Sequence, residues 1–201
     1  LVTDITLERP MSLAARLSTI SPDDYLEHEA DSPVKHEYLD GQVVAMAGAG
    51  ERHNRIALNA AFRLRSAARG TACGVFISDM KLRVEATNAF YYPDAMLVCA
   101  QDAHPQYKTA PCVIVEVLSP ATAATDTREK WLAYRTLPSL TVYLLVHADA
   151  RQVNYWQRDT DGSWRQGTLE EHEVLTLNCP PLRIPLCLDD LYEDVDGLGR
   201  D

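Results

Sequence analysis

Apolar and polar positions along this chain switch between a helical and a strand period, and the switches mark its elements. Ser21-Pro22-Asp23-Asp24 opens a short helix, with a serine to cap it, a proline at the first helical position and acids in the first turn. Pro33 closes that unit. Asp40-Gly41 between the apolar runs 36–39 and 42–46 predicts a hairpin. From Glu51 to Ala68 the period is 3.6 and Gly70 follows, which predicts a long helix. Ile56, Ala57, Ala60, Ala61, Leu64, Ala67 and Ala68 share its apolar arc. Arg52, Arg55, Asn59, Arg63 and Ser66 fall on the opposite arc, read as a solvated face or a phosphate-contacting one. His53 sits in the apolar arc at the first turn and points inward.

Strands are predicted near 74–77, 80–85, 94–99, 112–118 and 141–146. A second helix is predicted from Asp126 to Leu137, ending before Pro138. Residues 151–157 and 163–168 form a hairpin across Asp161-Gly162. A strand near 173–177 and a short acidic helix near 188–194 complete the pattern. This order predicts one α/β (α+β) domain over residues 21–194, a mixed sheet with one long and one short helix packed on it. Residues 1–20 are expected to be an N-terminal extension, in part vector-derived or a truncated start, with Met11 a candidate initiator, and 195–201 a tail.

Composition narrows the function classes. With 46% hydrophobic and 24% charged residues, the 201-residue chain is neither disordered nor fibrous. No apolar run reaches the roughly 18 residues of a membrane helix. The five cysteines, Cys73, Cys99, Cys112, Cys179 and Cys187, are odd in number and form no C-x-x-C. They read as unpaired thiols, with Cys99 and Cys112 buried, and predict neither a disulfide framework nor a zinc site. That pattern fits a reducing cytoplasm, as does a start without a secretory signal. The net charge of −10 argues against a simple basic nucleic-acid binder. The acidity lies at the ends, however, and residues 32–188 carry 16 acids and 16 bases. A local basic face is compatible with that balance.

Two residues break the apolar pattern. Glu116 lies inside Val113-Ile114-Val115-Glu116-Val117-Leu118, a run characteristic of a strand covered on both faces. A buried carboxylate needs a metal, a cationic side chain or a proton. Asp94 heads the preceding apolar strand, behind Pro93, which tolerates only a strand's first position or an edge. Two acids at neighbouring strand mouths can share one Mg²⁺ or Mn²⁺, which takes oxygen ligands and activates water at a phosphodiester. Lys130 follows in the first turn of the next helix, where an ammonium could stabilise charge on phosphate. Asp126, four residues before it, offers a plain helical ion pair instead. Glu37 on the first hairpin is either the polar side of a half-buried strand or a further carboxylate of the site. Tyr155, Trp156 and Trp164 on the late hairpin read as a dimer surface or as sheet packing. Gly48-Ala49-Gly50 lacks the third glycine of a dinucleotide turn, and no P-loop, H-E-x-x-H or G-x-S-x-G occurs.

Taken in order, His36-Glu37-Tyr38-Leu39-Asp40-Gly41, the helix near His53, Tyr92-Pro93-Asp94, Val115-Glu116-Val117-Leu118-Ser119-Pro120 and the segment 126–134 with Lys130 resemble the PD-(D/E)XK nuclease superfamily. The resemblance covers residues 21–194 and is closest to a branch of bacterial endonucleases. It implies a restriction-endonuclease-like fold and a metal-dependent phosphodiesterase acting on nucleic acid, chiefly DNA, as a homodimer. Asp94, Glu116 and the Val117 carbonyl would be the metal ligands, with Glu37 or His53 completing the site. The usual pattern puts a lysine two residues after the glutamate, and that position is Leu118 here. The resemblance therefore implies a displaced lysine, Lys130, with Lys81 as the alternative. A domain without such a lysine would bind without cutting.

Overall fold

The apolar run that contains Glu116 is a strand with all six residues buried, flanked on both sides by other strands. The surrounding architecture is seen in a computed structural model that describes residues 19–118, 123–195 and 197–198, the side chains of 123–127 excepted. In chain order the elements are α1 (Pro22–Ala30), β1 (His36–Leu39), β2 (Gln42–Ala45), α2 (Glu51–Ala68), β3 (Gly74–Ile77), β4 (Lys81–Val84), β5 (Ala89–Tyr91), β6 (Ala95–Val98), β7 (Tyr107–Lys108) and β8 (Val113–Leu118). They continue with α3 (Ala123–Tyr134), β9 (Val142–His147), β10 (Val153–Arg158), β11 (Trp164–Leu169), β12 (Leu175–Cys179), β13 (Leu182–Leu186) and α4 (Leu188–Tyr192).

The capping and turn chemistry acts where the sequence places it. Ser21 accepts a hydrogen bond from the Asp24 N–H and starts α1. Asp40 and Gly41 both take positive φ, 46° and 94°, which a two-residue hairpin turn between β1 and β2 requires. The long helix has the predicted bounds.

The strands divide into a mixed six-stranded sheet, β11-β10-β9-β8-β6-β3, a five-stranded sheet, β2-β1-β5-β4-β7, and the β12–β13 hairpin. The α/β class stands, but the single mixed sheet of the sequence reading becomes two. The short strands β5 and β7 carry too few residues to show a period, and β13 contains Pro185. Strand alternation assigns the faces of β8. Val113, Val115 and Val117 belong to the core under α2 and the C-terminal elements. Ile114 and Leu118 face the core that holds Tyr134 of α3 and residues of β4 and β5. Glu116 shares their parity, so it points toward α3.

Several expectations are corrected. Helix α3 begins at Ala123, so Lys130 lies in its interior rather than its first turn. Arg52 is buried and donates to the carbonyls of Ala148, Val195 and Leu198. Asn59 donates to the Leu191 and Glu193 carbonyls, and Arg63 to that of Pro185. Three of the five residues of the supposed solvated arc thus clasp the chain's last elements. Val195 is fully buried, so packing continues past residue 194. Trp156 and Trp164 pack on Trp131 of α3, each at 4.9 Å between ring centroids, and Tyr155 packs on the other core. Four cysteines are not unpaired thiols: Cys73 bonds Cys99, and Cys112 bonds Cys179. Pairing of β3 with β6 brings together Cys73 and Cys99, 26 residues apart, and packing of the β12–β13 hairpin brings Cys179 to Cys112, 67 residues apart, neither of which spacing alone reveals. Among the described residues no helix is long and apolar enough to cross a membrane. The proposed extension lies almost wholly outside the described residues.

Candidate active site

Chain geometry brings Asp94 to Glu116. The antiparallel pairing of β6 with β8 sets Ala95 opposite Val115, and one step outward Asp94 comes opposite Glu116. Asp94 also lies on the link Tyr92-Pro93-Asp94, where the chain passes from the five-stranded to the six-stranded sheet. Its carboxylate is clamped at both oxygens. The Val117 N–H donates to Oδ2 at 2.7 Å, and His53 Nε2 on the first turn of α2 lies 2.9 Å from Oδ1.

Glu116 is buried against α3. Tyr134 donates its hydroxyl to Glu116 Oε1 at 2.7 Å, and Lys130 Nζ stands 3.4 Å from the same oxygen. Lys130 Nζ also lies 2.9 Å from Glu37 Oε1 on β1 and 5.9 Å from the Tyr91 ring centre. Lys130 and Tyr134 are one helical turn apart, so both reach the same carboxylate. Asp94, Glu116, Lys130, Glu37 and His53 therefore form one continuous group at the junction of the two sheets and two helices.

The electrostatics of this group are unbalanced. Burial pushes the Glu116 carboxyl up to about 8. Lys130 and the Tyr134 hydroxyl pull it down, and the negative charges of Asp94 and Glu37 push it up. Tyr134 is held well above its ordinary value, first by burial and then by Glu116. Three carboxyl groups stand around one ammonium in a desolvated place, and Glu116 keeps its proton near neutral pH. Such a donor set, all oxygen, fits a hard divalent cation. Asp94 and Glu116 are the residues that could hold it, and Val117, next in β8, contributes a backbone to the same place.

Lys81 sits elsewhere. It is buried over the Tyr92 ring, 5.3 Å from its centre, and Tyr92 donates to Glu29 at 2.8 Å. Burial lowers the Lys81 pKa and Glu29 partly restores it. Leu118, in the usual lysine position, is 7% exposed and part of the core. The alternative pairing of Lys130 with Asp126 involves a side chain outside the described residues. Sequence reasoning missed Tyr134; its signal was the four-residue step from Lys130. It also missed Tyr91, whose ring meets Tyr134 at 5.3 Å.

Known proteins share this arrangement of chain. The Uma2 family model, described as "Putative restriction endonuclease", matches residues 22–186. Two uncharacterized proteins of Synechocystis sp. are similar. One, slr1290, is 34% identical over 155 residues, covering 76% of this chain and 82% of its own. The other, sll1609, is 30% identical over 158 residues, covering 77% and 89%. A crystal structure from Anabaena variabilis, described as a putative nuclease belonging to DUF820, superposes with a TM-score of 0.68. It covers 88% of this chain and 99% of that one at 15% identity, which is a likeness of fold.

Proposed function

The chain belongs to the Uma2 family of restriction-endonuclease-like proteins, and from that premise we propose that it is a metal-dependent endonuclease hydrolysing phosphodiester bonds of DNA. Asp94 and Glu116, with the Val117 carbonyl, would hold a Mg²⁺ or Mn²⁺ ion. Such an ion, when bound, polarises the phosphodiester and lowers the pKa of a coordinated water.

The protein's own residues supply the rest. His53 and the Val117 N–H fix both oxygens of Asp94 and so set the direction its lone pairs present. Tyr134 orients Glu116 by donating to one oxygen, leaving the other for coordination. Lys130 holds Glu37 and Glu116 together and carries the positive charge that stabilises a phosphorane-like transition state. Glu37 keeps that ammonium in place from the opposite sheet. Lys81 has no part in this set.

The observation that carries the reading is Lys130 beside both Glu116 and Glu37, because it supplies from α3 the cation that Leu118 cannot. That argues for a cutting enzyme over a module that only binds. A homodimer with two sites for paired nicks follows from analogy of fold. Matched labelled oligonucleotides test the substrate: duplex DNA, single-stranded DNA and RNA, each with Mg²⁺ or EDTA. Internal, Mg²⁺-dependent cleavage of duplex DNA is expected. Cleavage confined to RNA, or unaffected by EDTA, contradicts the proposal.

A further inference from the structure

Away from the carboxylates, four cysteines converge in the core. Cys73 precedes β3 and Cys99 follows β6, one step beyond the paired Gly74 and Val98, and the two are disulfide-bonded. Cys112 precedes β8 and Cys179 ends β12, and these two are bonded in turn. The two bonds touch. Cys99 Sγ lies 3.5 Å from Cys179 Sγ, and the sulfurs of Cys99, Cys112 and Cys179 all lie within 4.8 Å of one another.

Access to the two bonds is unequal. Cys112 and Cys179 are 7% and 0% exposed, inside the apolar cluster under α2. Cys99 is half-buried and packs at that cluster's edge. Thiol–disulfide exchange needs direct attack of a thiolate on a sulfur, so access governs its rate. A reductant from solution meets Cys99 and is shut out from the inner bond. Cys99, once reduced, is already in van der Waals contact with Cys179.

The geometry points to a two-disulfide exchange relay: the outer Cys73–Cys99 bond is the site at which a dithiol reductant reacts, and it passes the electrons to the inner Cys112–Cys179 bond. One thiolate of the reductant attacks Cys99, and Cys73 leaves as a thiolate. The reductant's second thiol displaces Cys99, and the reductant departs as its own disulfide. Cys99 then attacks Cys179, forming Cys99–Cys179 and releasing the Cys112 thiolate. Cys73 attacks Cys99, restores the outer bond and releases the Cys179 thiolate. The sum is one dithiol oxidised and the inner bond reduced, with the two protons taken up by Cys112 and Cys179. The bond that opens ties the β12–β13 hairpin to the start of β8, the strand that carries Glu116.

The relay is tested without reductant in Cys73→Ser, which leaves Cys99 as a thiol beside the inner bond. Acid-quenched peptide mapping of this variant should show a Cys99–Cys179-linked peptide and an alkylatable Cys112. In the unaltered protein, one equivalent of dithiothreitol followed by alkylation should trap the same linked peptide. Label should then accumulate on Cys112 and Cys179 while Cys73–Cys99 stays joined. Cys99→Ser should slow labelling of the inner pair by about tenfold or more, since only direct attack from solution remains. Three results each overturn the relay. One is a Cys73→Ser protein with Cys112–Cys179 intact and Cys99 free. Another is equal labelling rates with and without Cys99. The third is an unaltered protein whose four cysteines all alkylate before any reductant is added. The trapped peptide in the unaltered protein decides the matter even if a variant fails to fold.

Discussion

The Lys130 ammonium lies 3.4 Å from the Glu116 carboxyl group, the one residue from α3 and the other from β8. That contact, doubled by the 2.9 Å contact to Glu37, joins the two sheets through one charge. Removing it leaves the Glu37 carboxylate and the buried Glu116 carboxyl group without their shared cation. Lys130→Met should abolish metal-dependent cleavage and destabilise the fold by about 3 kcal/mol, the scale of a broken buried pair. Lys81→Met should retain cleavage. Plasmid nicking at low temperature and urea melts of both variants check this.

Stability should depend on pH through Glu116. Its carboxyl is pushed up to about 8 in the folded protein, against an ordinary value of 4.5. The folded state therefore holds this proton more tightly than the unfolded chain. The resulting stabilisation is full below pH 4.5 and is lost as pH rises through about 8. Glu116→Gln should flatten that fall in thermal melts recorded in EDTA. An unchanged slope in the variant would show that another group carries it.

Metal affinity should run the opposite way. Coordination requires the ionised carboxylate, so binding releases the proton that Glu116 holds. Mn²⁺ affinity, read by titration calorimetry, should rise with pH, by up to about tenfold per unit, and level off near pH 8. Calorimetry in buffers of different ionisation enthalpy should show close to one proton released at pH 6.5.

Tyr134→Phe keeps the ring and deletes the hydroxyl that donates to Glu116 at 2.7 Å. Losing a hydrogen bond to a charged group costs about 1.5–3 kcal/mol. The Glu116 carboxyl should rise further, and cleavage at pH 7 should fall about tenfold, recovering in part at pH 9. A pH–rate profile that moves with the substitution separates this positioning role from simple loss of packing.

Much of this was legible in the chain. The continuous apolar run 113–118 and the lone acid within it marked Glu116, and Pro93-Asp94 at a strand head marked its neighbour. His53 on the apolar arc pointed inward and meets Asp94. What could not be read depends on long-range placement. Arg52 and Asn59 look solvated on a helical wheel because the wheel does not show that the carbonyls of Leu191, Glu193, Val195 and Leu198 come back to them. The cysteine pairs depend on long-range placement in the same way. The five-stranded sheet escaped notice because β5 and β7 are three and two residues long.

That clasp gives a prediction of its own. Arg63→Ala should lower stability and leave the salt dependence of DNA binding unchanged, because its guanidinium grips the Pro185 carbonyl. A smaller salt slope would return Arg63 to a phosphate-contacting face.

The proposed cleavage depends on a metal held by Asp94 and Glu116. Its most direct test is nicking of supercoiled plasmid at low salt with Mg²⁺, Mn²⁺ or EDTA, comparing the unaltered protein with Asp94→Ala and Glu116→Gln. Nicking that requires the metal and disappears in both folded variants is the predicted result. Nicking that survives either substitution, or a folded, metal-supplied protein that leaves the plasmid intact, would contradict it.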